Sequence, residues 1–234
     1  ILNTVIDLTV NRLPGYMSLD PHQDIQILAP MRKGAIGVNN LNRVLQSVLN
    51  PRSEEKPERQ FRDIVFREGD KVMQIRNNYN LEWVVRIGDR VIDEGEGIFN
   101  GDVGFIESID LEDQTLTVIF DDSKEVSYDF ALLDELELAY AISIHKSQGS
   151  EFPIVLIPIA WGPPMLMTRN LLYTGITRAR EMVVLVGRER MLYKMVDNNY
   201  IAKRYSGLDY HFRKLFTTLS WAGEDTLPFS IDEN

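Results

Sequence analysis

Four short apolar runs constrain the fold of this 234-residue chain more than any other feature. They lie at Asp24–Pro30, Leu138–Ile144, Ile154–Ile159 and Glu181–Gly187. Apolar runs of this length are typical of strands that are buried on both faces, as in a parallel sheet. Residues 34–50 have apolar side chains at helical spacing, and residues 171–180 also read as a helix. The pattern therefore predicts an α/β fold around a parallel sheet.

The middle of the chain has a different character. Between residues 66 and 135, short strand candidates alternate with turn signals, and close spacing of this kind is typical of a small antiparallel barrel. The strand candidates are Lys71–Arg76, Gly104–Ile109, Thr115–Phe120 and Lys124–Tyr128, and the turn signals are Asn77-Asn78, Glu94-Gly95, Asn100-Gly101 and Asp121-Asp122. So small a core predicts that the barrel packs against its neighbour.

The order of these patterns predicts a discontinuous domain. A lone strand and helix within residues 24–50 could not bury their own faces, so they need the later strands. We therefore expect one α/β domain over residues 1–65 plus 136–215, a β-barrel inserted at 66–135, and a C-terminal tail at 216–234. The charged, proline-containing segment 51–58 reads as a domain edge. A plain string of two or three domains is the alternative.

Composition excludes several classes of protein. The absence of cysteine rules out a disulfide framework, a thiolate zinc site and a cysteine nucleophile. No apolar run is long enough to span a membrane, and the N-terminus lacks a signal peptide pattern, so we expect a cytoplasmic protein without a membrane partner. Because the chain starts at Ile1 rather than Met, we expect a piece of something longer. The net charge is −10, yet a local basic groove remains compatible with it.

Three segments could carry chemistry. The connection Ser143–Phe152 offers His145 and Lys146 as phosphate donors, and loops at strand ends are where open α/β sheets bind ligands. Arg178 and Arg180 precede the last apolar run, and a guanidinium suits phosphate oxygens. The basic segment 29–34 falls at the predicted start of a helix, which favours an anion. For each segment the alternative is an ordinary solvated turn or surface.

Several motifs are missing. The sequence has no G-x-x-x-x-G-K-[ST] phosphate loop, no G-x-G-x-x-G and no G-x-S-x-G nucleophile elbow. Its three histidines, His22, His145 and His211, lack the spacing of metal ligands, so no metal site is expected.

Taken together, these segments resemble the second motor domain of a superfamily 1 helicase, and most closely the RecD-like family named after the exodeoxyribonuclease V alpha chain. The stretch HKSQGSEF resembles motif V, YTGITRAR resembles motif VI, and QILAPMRKGAIGVNNLN resembles the motif IV region. The segments GDKVMQ, NNY and FNGD resemble the family's Src-homology-3-like insertion. The likeness covers roughly residues 1–205. It implies a RecA-like motor domain interrupted by a Src-homology-3-like barrel.

The resemblance also implies roles for residues at matching positions. Arg178 matches the motif VI arginine finger, and Arg32 stands where the family has a second phosphate-contacting arginine. Gln148, Gly149 and Glu151 match positions beside the nucleotide. The implied DNA contacts are Ser143, His145 and Lys146 in the motor domain and Asn77, Tyr79, Phe99 and Asn100 in the barrel, whose aromatic rings offer stacking surfaces.

The sequence departs from the family pattern at three places. Residues 81–97 read as a long barrel loop, and Asn80 replaces an expected acidic residue. Acidic residues crowd residues 107–137, which predicts that at most one face of the barrel meets DNA.

The implied parent is an ATP-hydrolysing DNA helicase of recombination or repair that moves five-prime to three-prime on single-stranded DNA. It would use ATP and Mg²⁺, and its partners would be the strand, the missing N-terminal motor domain and other recombination subunits. Because no phosphate loop is present, we expect the chain alone to bind no cofactor stably and to be inactive. The main alternative is a non-catalytic single-stranded DNA binding module. A methyltransferase-like nucleotide enzyme is remote, because a glycine-rich cofactor loop is lacking.

Overall fold

A computed structural model describes residues 1–120, 123–200 and 207–219. The chain divides into two compact units, Ile1–Tyr200 and Ile201–Asn234. In the second unit the described residues include one helix, Leu208–Leu219. The turn signal Asp121-Asp122 and most of the predicted tail, from residue 220 onward, lie outside the described residues.

The first unit contains a parallel sheet with helices, so the α/β prediction is confirmed. Its four strands are ordered β11-β1-β12-β13, and every pair is parallel. The strands are β1 (Ile25–Ala29), β11 (Ala141–Ser143), β12 (Phe152–Ile159) and β13 (Ala179–Gly187). The helices of this unit are α1 (Leu2–Asp7), α2 (Leu13–Met17), α3 (Val38–Leu49), α4 (Arg169–Ile176) and α5 (Glu189–Asp197), and one π-helical turn (Leu8–Arg12) joins α1 to α2.

The middle of the chain forms a seven-stranded antiparallel sheet in the order β10-β4-β7-β8-β9-β5-β6. Its strands are β4 (Lys71–Gln74), β5 (Asn78–Ile87), β6 (Arg90–Ile98), β7 (Val103–Asp110), β8 (Thr115–Phe120), β9 (Glu125–Asp129) and β10 (Leu136–Leu138). Before it, β2 (Glu58–Phe61) and β3 (Ile64–Arg67) form a separate hairpin. The sheet runs three residues past the predicted boundary at 135, and the division into domains stays a prediction.

Four local predictions were wrong. Residues 81–97 are not a loop, because β5 and β6 form a hairpin that turns at Gly88-Asp89, so Glu94-Gly95 lies inside a strand. The run Leu138–Ile144 is not one strand: β10 pairs with β4, and β11 pairs with β1. The helix predicted at 171–180 ends at Ile176, since Ala179 already pairs with β12. The helix predicted from residue 34 begins at Val38.

The two sheets share one apolar core. Leu41 and Leu45 of α3, Ile27 of β1, and Leu116 and Tyr128 of the antiparallel sheet are fully buried in the same cluster. The helical spacing of the α3 residues puts them on one face, which covers β1. The antiparallel sheet therefore packs against its neighbour, as its small size predicts.

A buried polar network joins α3 to the strands beside it. Asp70 is fully buried, and its carboxylate accepts hydrogen bonds from the amides of Gln46 (2.6 Å) and Asn50 (2.8 Å), from Arg67 N (2.7 Å) and from the hydroxyl of Tyr140 (2.9 Å). Burial raises the pKa of Asp70, because a low-dielectric interior disfavours the charged carboxylate. These bonds hold α3 against the start of β4.

A second buried amide fixes the connection between the sheets. Asn42 of α3 donates to Leu138 O (2.7 Å) and Ala141 O (2.9 Å), and its side-chain oxygen accepts from Ala141 N (2.7 Å). This connection carries the chain from β10 in one sheet to β11 in the other. Within the described ranges, none of the helices is both long and apolar enough to cross a bilayer.

Candidate functional site

The candidate residues of the parallel sheet lie at two opposite edges. Since all four strands run in the same direction, their carboxyl ends share one edge and their amino ends share the other. The segment between β11 and β12 starts at the carboxyl edge with a 3₁₀ turn, Ile144–Ser147, and reaches the amino edge at Phe152. One short connection therefore supplies residues to both edges.

At the amino edge, Arg178 lies against the end of this connection. Its Nη1 donates to Ser150 O at 3.2 Å, and its backbone oxygen accepts from Phe152 N at 2.9 Å. Its buried Nε has no hydrogen-bond partner. Its Nη2 also donates to Thr177 Oγ1, at 3.5 Å. The two terminal nitrogens thus make one hydrogen bond each, which leaves further N–H groups for an anion.

The predicted nucleotide residues of the connection lie beside Arg178. Gln148, Gly149 and Glu151 are all exposed, and they flank the carbonyl that Arg178 contacts. Gly149 has φ of +93°, a conformation that L side chains rarely adopt, so glycine is required for this turn. The structure therefore brings together motifs that are separated by almost thirty residues in the sequence.

Arg180 lines a cleft that does not include Arg178. It lies at the start of β13 and lines a cleft of about 720 Å³ between the amino edge and the antiparallel sheet. Asp102 and Lys124 line the opposite side of this cleft, and Glu151 and Lys71 also contribute to it. The helix predicted to carry Arg178 and Arg180 together has ended before either residue.

At the carboxyl edge, two cations share one carboxylate. Arg32 Nη2 lies 2.5 Å from Glu137 Oε1, and Lys146 Nζ lies 3.6 Å from Glu137 Oε2. Burial lowers the pKa of Lys146, and the charge of Glu137 acts in the opposite direction. Ser143 lines the same small cavity, whereas His145 next to Lys146 is exposed. Two basic side chains therefore share one acidic side chain in this cluster.

The loop before α3 fixes the position of Arg32. Val38 N donates to Met31 O (3.0 Å) and Asn39 N to Arg32 O (3.1 Å), so the loop supplies acceptors for the start of the helix. A Cβ on Gly37 would lie 2.5 Å from the backbone of Lys33, and glycine is therefore needed for this close approach. The segment predicted to bind an anion is thus an ordered loop that presents Arg32.

The structure separates Arg32 from Arg178. Ile25 of β1 is level with Ile154 of β12, which puts Ala29 six residues along β12 from Phe152. At about 3.3 Å per residue, the two edges are roughly 20 Å apart. Arg32 lies at the carboxyl edge with Lys146 and not with Arg178, so the two predicted nucleotide arginines do not meet within this chain.

The four predicted DNA contacts of the barrel form one cluster. Tyr79 and Phe99 pack edge to face with ring centroids 5.6 Å apart, and both rings are substantially exposed. The Asn77 amide donates to the Tyr79 hydroxyl (3.3 Å), and Asn77 Oδ1 accepts from Asn100 N (2.9 Å). The structure thus presents two aromatic faces and several amide groups on one surface.

Sequence reasoning missed the carboxylates that accept from donors beside the barrel cluster and at the carboxyl edge. Glu135 accepts from the amides of Asn78 (3.0 Å) and Gln74 (2.9 Å). It ends the 3₁₀ segment Phe130–Glu135, and Glu137 lies in β10 directly after it. Asp134 pairs with Arg76 at 2.7 Å. Each of these carboxylates therefore has a donor partner, although the sequence presents them as part of a repelling acidic run. The alternation of Leu136, Glu137 and Leu138 is the signal that could have placed Glu137 on the face of a strand opposite to the leucines.

No metal centre is found where the chain is described: no group of three or more His, Asp or Glu side chains there could hold an ion. The described residues therefore do not fit a Mg²⁺ site, and no chemical step is assigned to a metal bound by them.

Two domain families match this chain. Residues 41–120 match the ATP-dependent RecD-like DNA helicase SH3 domain. Residues 138–186 match the UvrD-like helicase C-terminal domain. The first match spans α3 and most of the antiparallel sheet, and the second spans β11 to β13.

Similar proteins include two curated relatives. The chain is 36% identical over 157 residues to the ATP-dependent RecD2 DNA helicase of Deinococcus radiodurans, a match that covers 67% of this chain and 19% of the relative. It is 29% identical over 191 residues to the RecBCD enzyme subunit RecD of Mycolicibacterium smegmatis, covering 82% of this chain and 29% of the relative. The chain thus spans less than a third of either relative.

A solved structure of Pif1 helicase from Bacteroides with ADP-AlF3 and single-stranded DNA aligns with 93% of this chain and 51% of its own, at 17% identity and a TM-score of 0.46.

Proposed function

This chain belongs to the RecD-like family of DNA helicases, and we propose that it is the part of an ATP-driven helicase that senses the nucleotide through Arg178 and holds single-stranded DNA. The parent would move five-prime to three-prime along the strand, in recombination or repair in the cytoplasm.

One observation carries the proposal: Arg178 contacts the carbonyl of Ser150, within the connection that exposes Gln148 and Glu151. A guanidinium with spare donors suits the oxygens of a transferring phosphoryl group, where charge develops in the transition state. A passive binding module has no need of such a group beside a polar loop. We therefore assign the amino edge of the sheet to ATP.

The single-stranded DNA would follow the carboxyl edge of the parallel sheet, opposite the edge assigned to ATP. Lys146 and Arg32 offer charge to phosphates, and the Tyr79 and Phe99 rings offer stacking faces that accept any base. Glu135 and Glu137 lie between these groups, but both carboxylates are hydrogen-bonded or ion-paired. Arg32, expected from the resemblance at the nucleotide, is therefore proposed as a strand contact.

The substrate ATP needs groups that the described residues lack. The phosphate loop and the Mg²⁺ ligands that bind ATP would come from another motor domain of the parent. Further recombination subunits are also proposed partners of the parent. Positioning and charge stabilisation provide most of the catalysis in phosphoryl transfer. The 234-residue chain alone is therefore expected to show no DNA-stimulated ATP hydrolysis.

The test is Arg178→Ala in the complete protein that contains this chain. Removing an arginine finger lowers kcat by about 10³–10⁵-fold, whereas the Kd for single-stranded DNA should change little, because Arg178 lies at the other edge. Arg190→Ala removes an exposed arginine of α5 and serves as the matched control. DNA-stimulated turnover at the control level in Arg178→Ala would refute the assignment. If the Arg178→Ala protein also kept its affinity for single-stranded DNA, the chain would be better described as a non-catalytic DNA-binding module.

A further inference from the structure

We propose that the groove between α3 and the β2–β3 hairpin binds the phosphodiester backbone of single-stranded DNA through Arg43 and Arg62. The inference rests on the proposed function, which makes single-stranded DNA the ligand. It adds a DNA-binding segment outside the helicase motifs. Neither arginine belongs to a stretch that the sequence singles out.

The groove is continuous with the carboxyl-edge cluster. It has a volume of about 720 Å³, and one wall is α3 while the other is the hairpin around Arg62. Arg32 and Glu137 line both this groove and the small cavity that contains Lys146 and Ser143. The groove and the Lys146 cavity are therefore neighbours that share the Arg32–Glu137 pair.

The groove is basic although the protein is acidic. Four arginines line it, against the two carboxylates of Asp63 and Glu137. The arginines are Arg32, Arg43, Arg62 and Arg67. Arg67 is neutralised by Glu58 at 2.8 Å, and Arg32 by Glu137. Among the residues that the structure describes, Arg43 and Arg62 have no acidic partner within ion-pair distance, so their charges are available.

Both available guanidinium groups are held in place by neutral contacts. Arg43 Nη2 donates to Asn40 Oδ1 at 2.8 Å, which leaves its other N–H groups unused. The Arg62 guanidinium lies 5.0 Å from the centre of the Phe61 ring. Such contacts orient a cation without neutralising it, which reduces the entropy that it loses when an anion binds.

Arg62 also occupies a costly backbone position. It lies in the two-residue turn between β2 and β3 with φ of +54°, where glycine or asparagine is favoured. The stability of the turn does not explain an arginine here, whereas an anion in the adjacent groove does. The same geometry makes glycine a conservative replacement at this site.

The other donors favour a phosphodiester chain as the ligand. Asn39, Arg43 and Ser47 line the groove at intervals of four residues, about 6 Å along α3. The Ser47 hydroxyl already donates to Val44 O at 2.7 Å, so Asn39 and Arg43 supply the donors. A row of separated donors suits a ligand with regularly repeated charge, and a guanidinium fork matches two phosphate oxygens. Continuity with the Lys146 cluster favours nucleic acid over an acidic peptide.

The experiment compares Arg43→Ala/Arg62→Gly with Arg86→Ala/Arg90→Ala in the complete protein. The control removes two exposed arginines near the tip of the β5–β6 hairpin, at the far end of the antiparallel sheet from β10. Affinity for a long oligothymidylate is measured over a range of salt concentrations. Each lost phosphate contact on a single strand reduces the salt slope by about 0.7, so the groove variant should bind about 25-fold more weakly at about 0.1 M salt. The control should match the wild type.

The outcomes separate the two proposals. If the wild type binds the oligonucleotide and the groove variant behaves like the control, this inference is overturned while the proposed function survives. If the wild type does not bind at all, both the proposed function and the inference that rests on it fall. Loss of binding to a poly-glutamate peptide with unchanged oligonucleotide affinity would assign the groove to an acidic protein segment and would also overturn the inference.

Discussion

Glu137 restrains the two cations that the proposed strand site needs. Its carboxylate contacts Arg32 at 2.5 Å and Lys146 at 3.6 Å, so a bound phosphate must compete with it. Glu137→Gln keeps the shape of the side chain and removes the charge. The variant is therefore expected to bind single-stranded DNA more tightly than the wild type.

The expected gain in DNA affinity follows from the number of cationic side chains that the substitution frees from Glu137. Freeing one cation for a phosphate adds about 0.7 to the salt slope on a single strand, which corresponds to about fivefold tighter binding at about 0.1 M salt. The cost to stability is small, because the side chain of Arg32 is 49% exposed and solvent weakens the pair. We expect the free energy of unfolding to fall by about 0.5–1 kcal/mol.

Fluorescence anisotropy with a labelled oligothymidylate, at several salt concentrations and pH 7, measures the effect. Burial lowers the pKa of Lys146, and loss of the Glu137 charge would lower it further. Glu125→Gln is the matched control, since it removes one carboxylate from the pair with Arg86 (3.2 Å) on a remote strand. Affinity in Glu137→Gln that is equal to the control, or weaker than the wild type, would refute the reasoning.

Two further predictions concern stability. Asn42→Ala leaves Leu138 O, Ala141 O and Ala141 N buried without their partner, so the free energy of unfolding should fall by about 3–5 kcal/mol in urea titrations. Asn40→Ala removes two exposed hydrogen bonds of the same helix, to Ala35 O and from Arg43 Nη2, and should cost about 1 kcal/mol; equal losses would contradict the account. Because burial raises the pKa of Asp70, the native state binds its proton more tightly than the unfolded chain, and this residue's contribution to stability falls as pH rises above about 4 through the native pKa. The advantage of the wild type over Asp70→Asn should shrink over that range, and an advantage that grows with pH would disprove the sign.

Local pattern predicted the strands that are buried on both faces. Asp24–Pro30 and Ile154–Ile159 contain β1 and most of β12, since their apolar runs are uninterrupted. The break within Leu138–Ile144 depends on partners far along the chain. Ala139 N donates to Lys71 O, and Asn42 ties down the residues on either side of the break. Contacts of this kind leave no mark on a local pattern.

The β5–β6 hairpin could have been found from the sequence. Leu81, Trp83, Val85 and Ile87 recur at every second position, with the charged residues Glu82 and Arg86 between them, although Val84 interrupts the alternation. Gly88-Asp89 is a two-residue turn signal. Comparison with a shorter loop in the family favoured the interpretation of residues 81–97 as a long loop.

The resemblance named Arg178, the polar connection and the residues around Tyr79 as candidates, and their roles stay predictions. The structure adds their arrangement: Arg178 contacts the connection, and Tyr79 packs against Phe99. Motif spacing could not separate Arg32 from Arg178, because the distance between them depends on the register of β1 against β12. Glu137 was hidden by its acidic surroundings, since only pairing of β10 with β4 brings it to the carboxyl edge.

The outer strand of the antiparallel sheet has a consequence for self-association. β6 is the last strand in the sheet order, and an unpaired edge invites a second copy to add to it. Asp93, Glu94 and Glu96 are all exposed on this strand. Two such edges brought side by side would align six carboxylates, so electrostatic repulsion opposes fibre-like stacking of the molecule through β6.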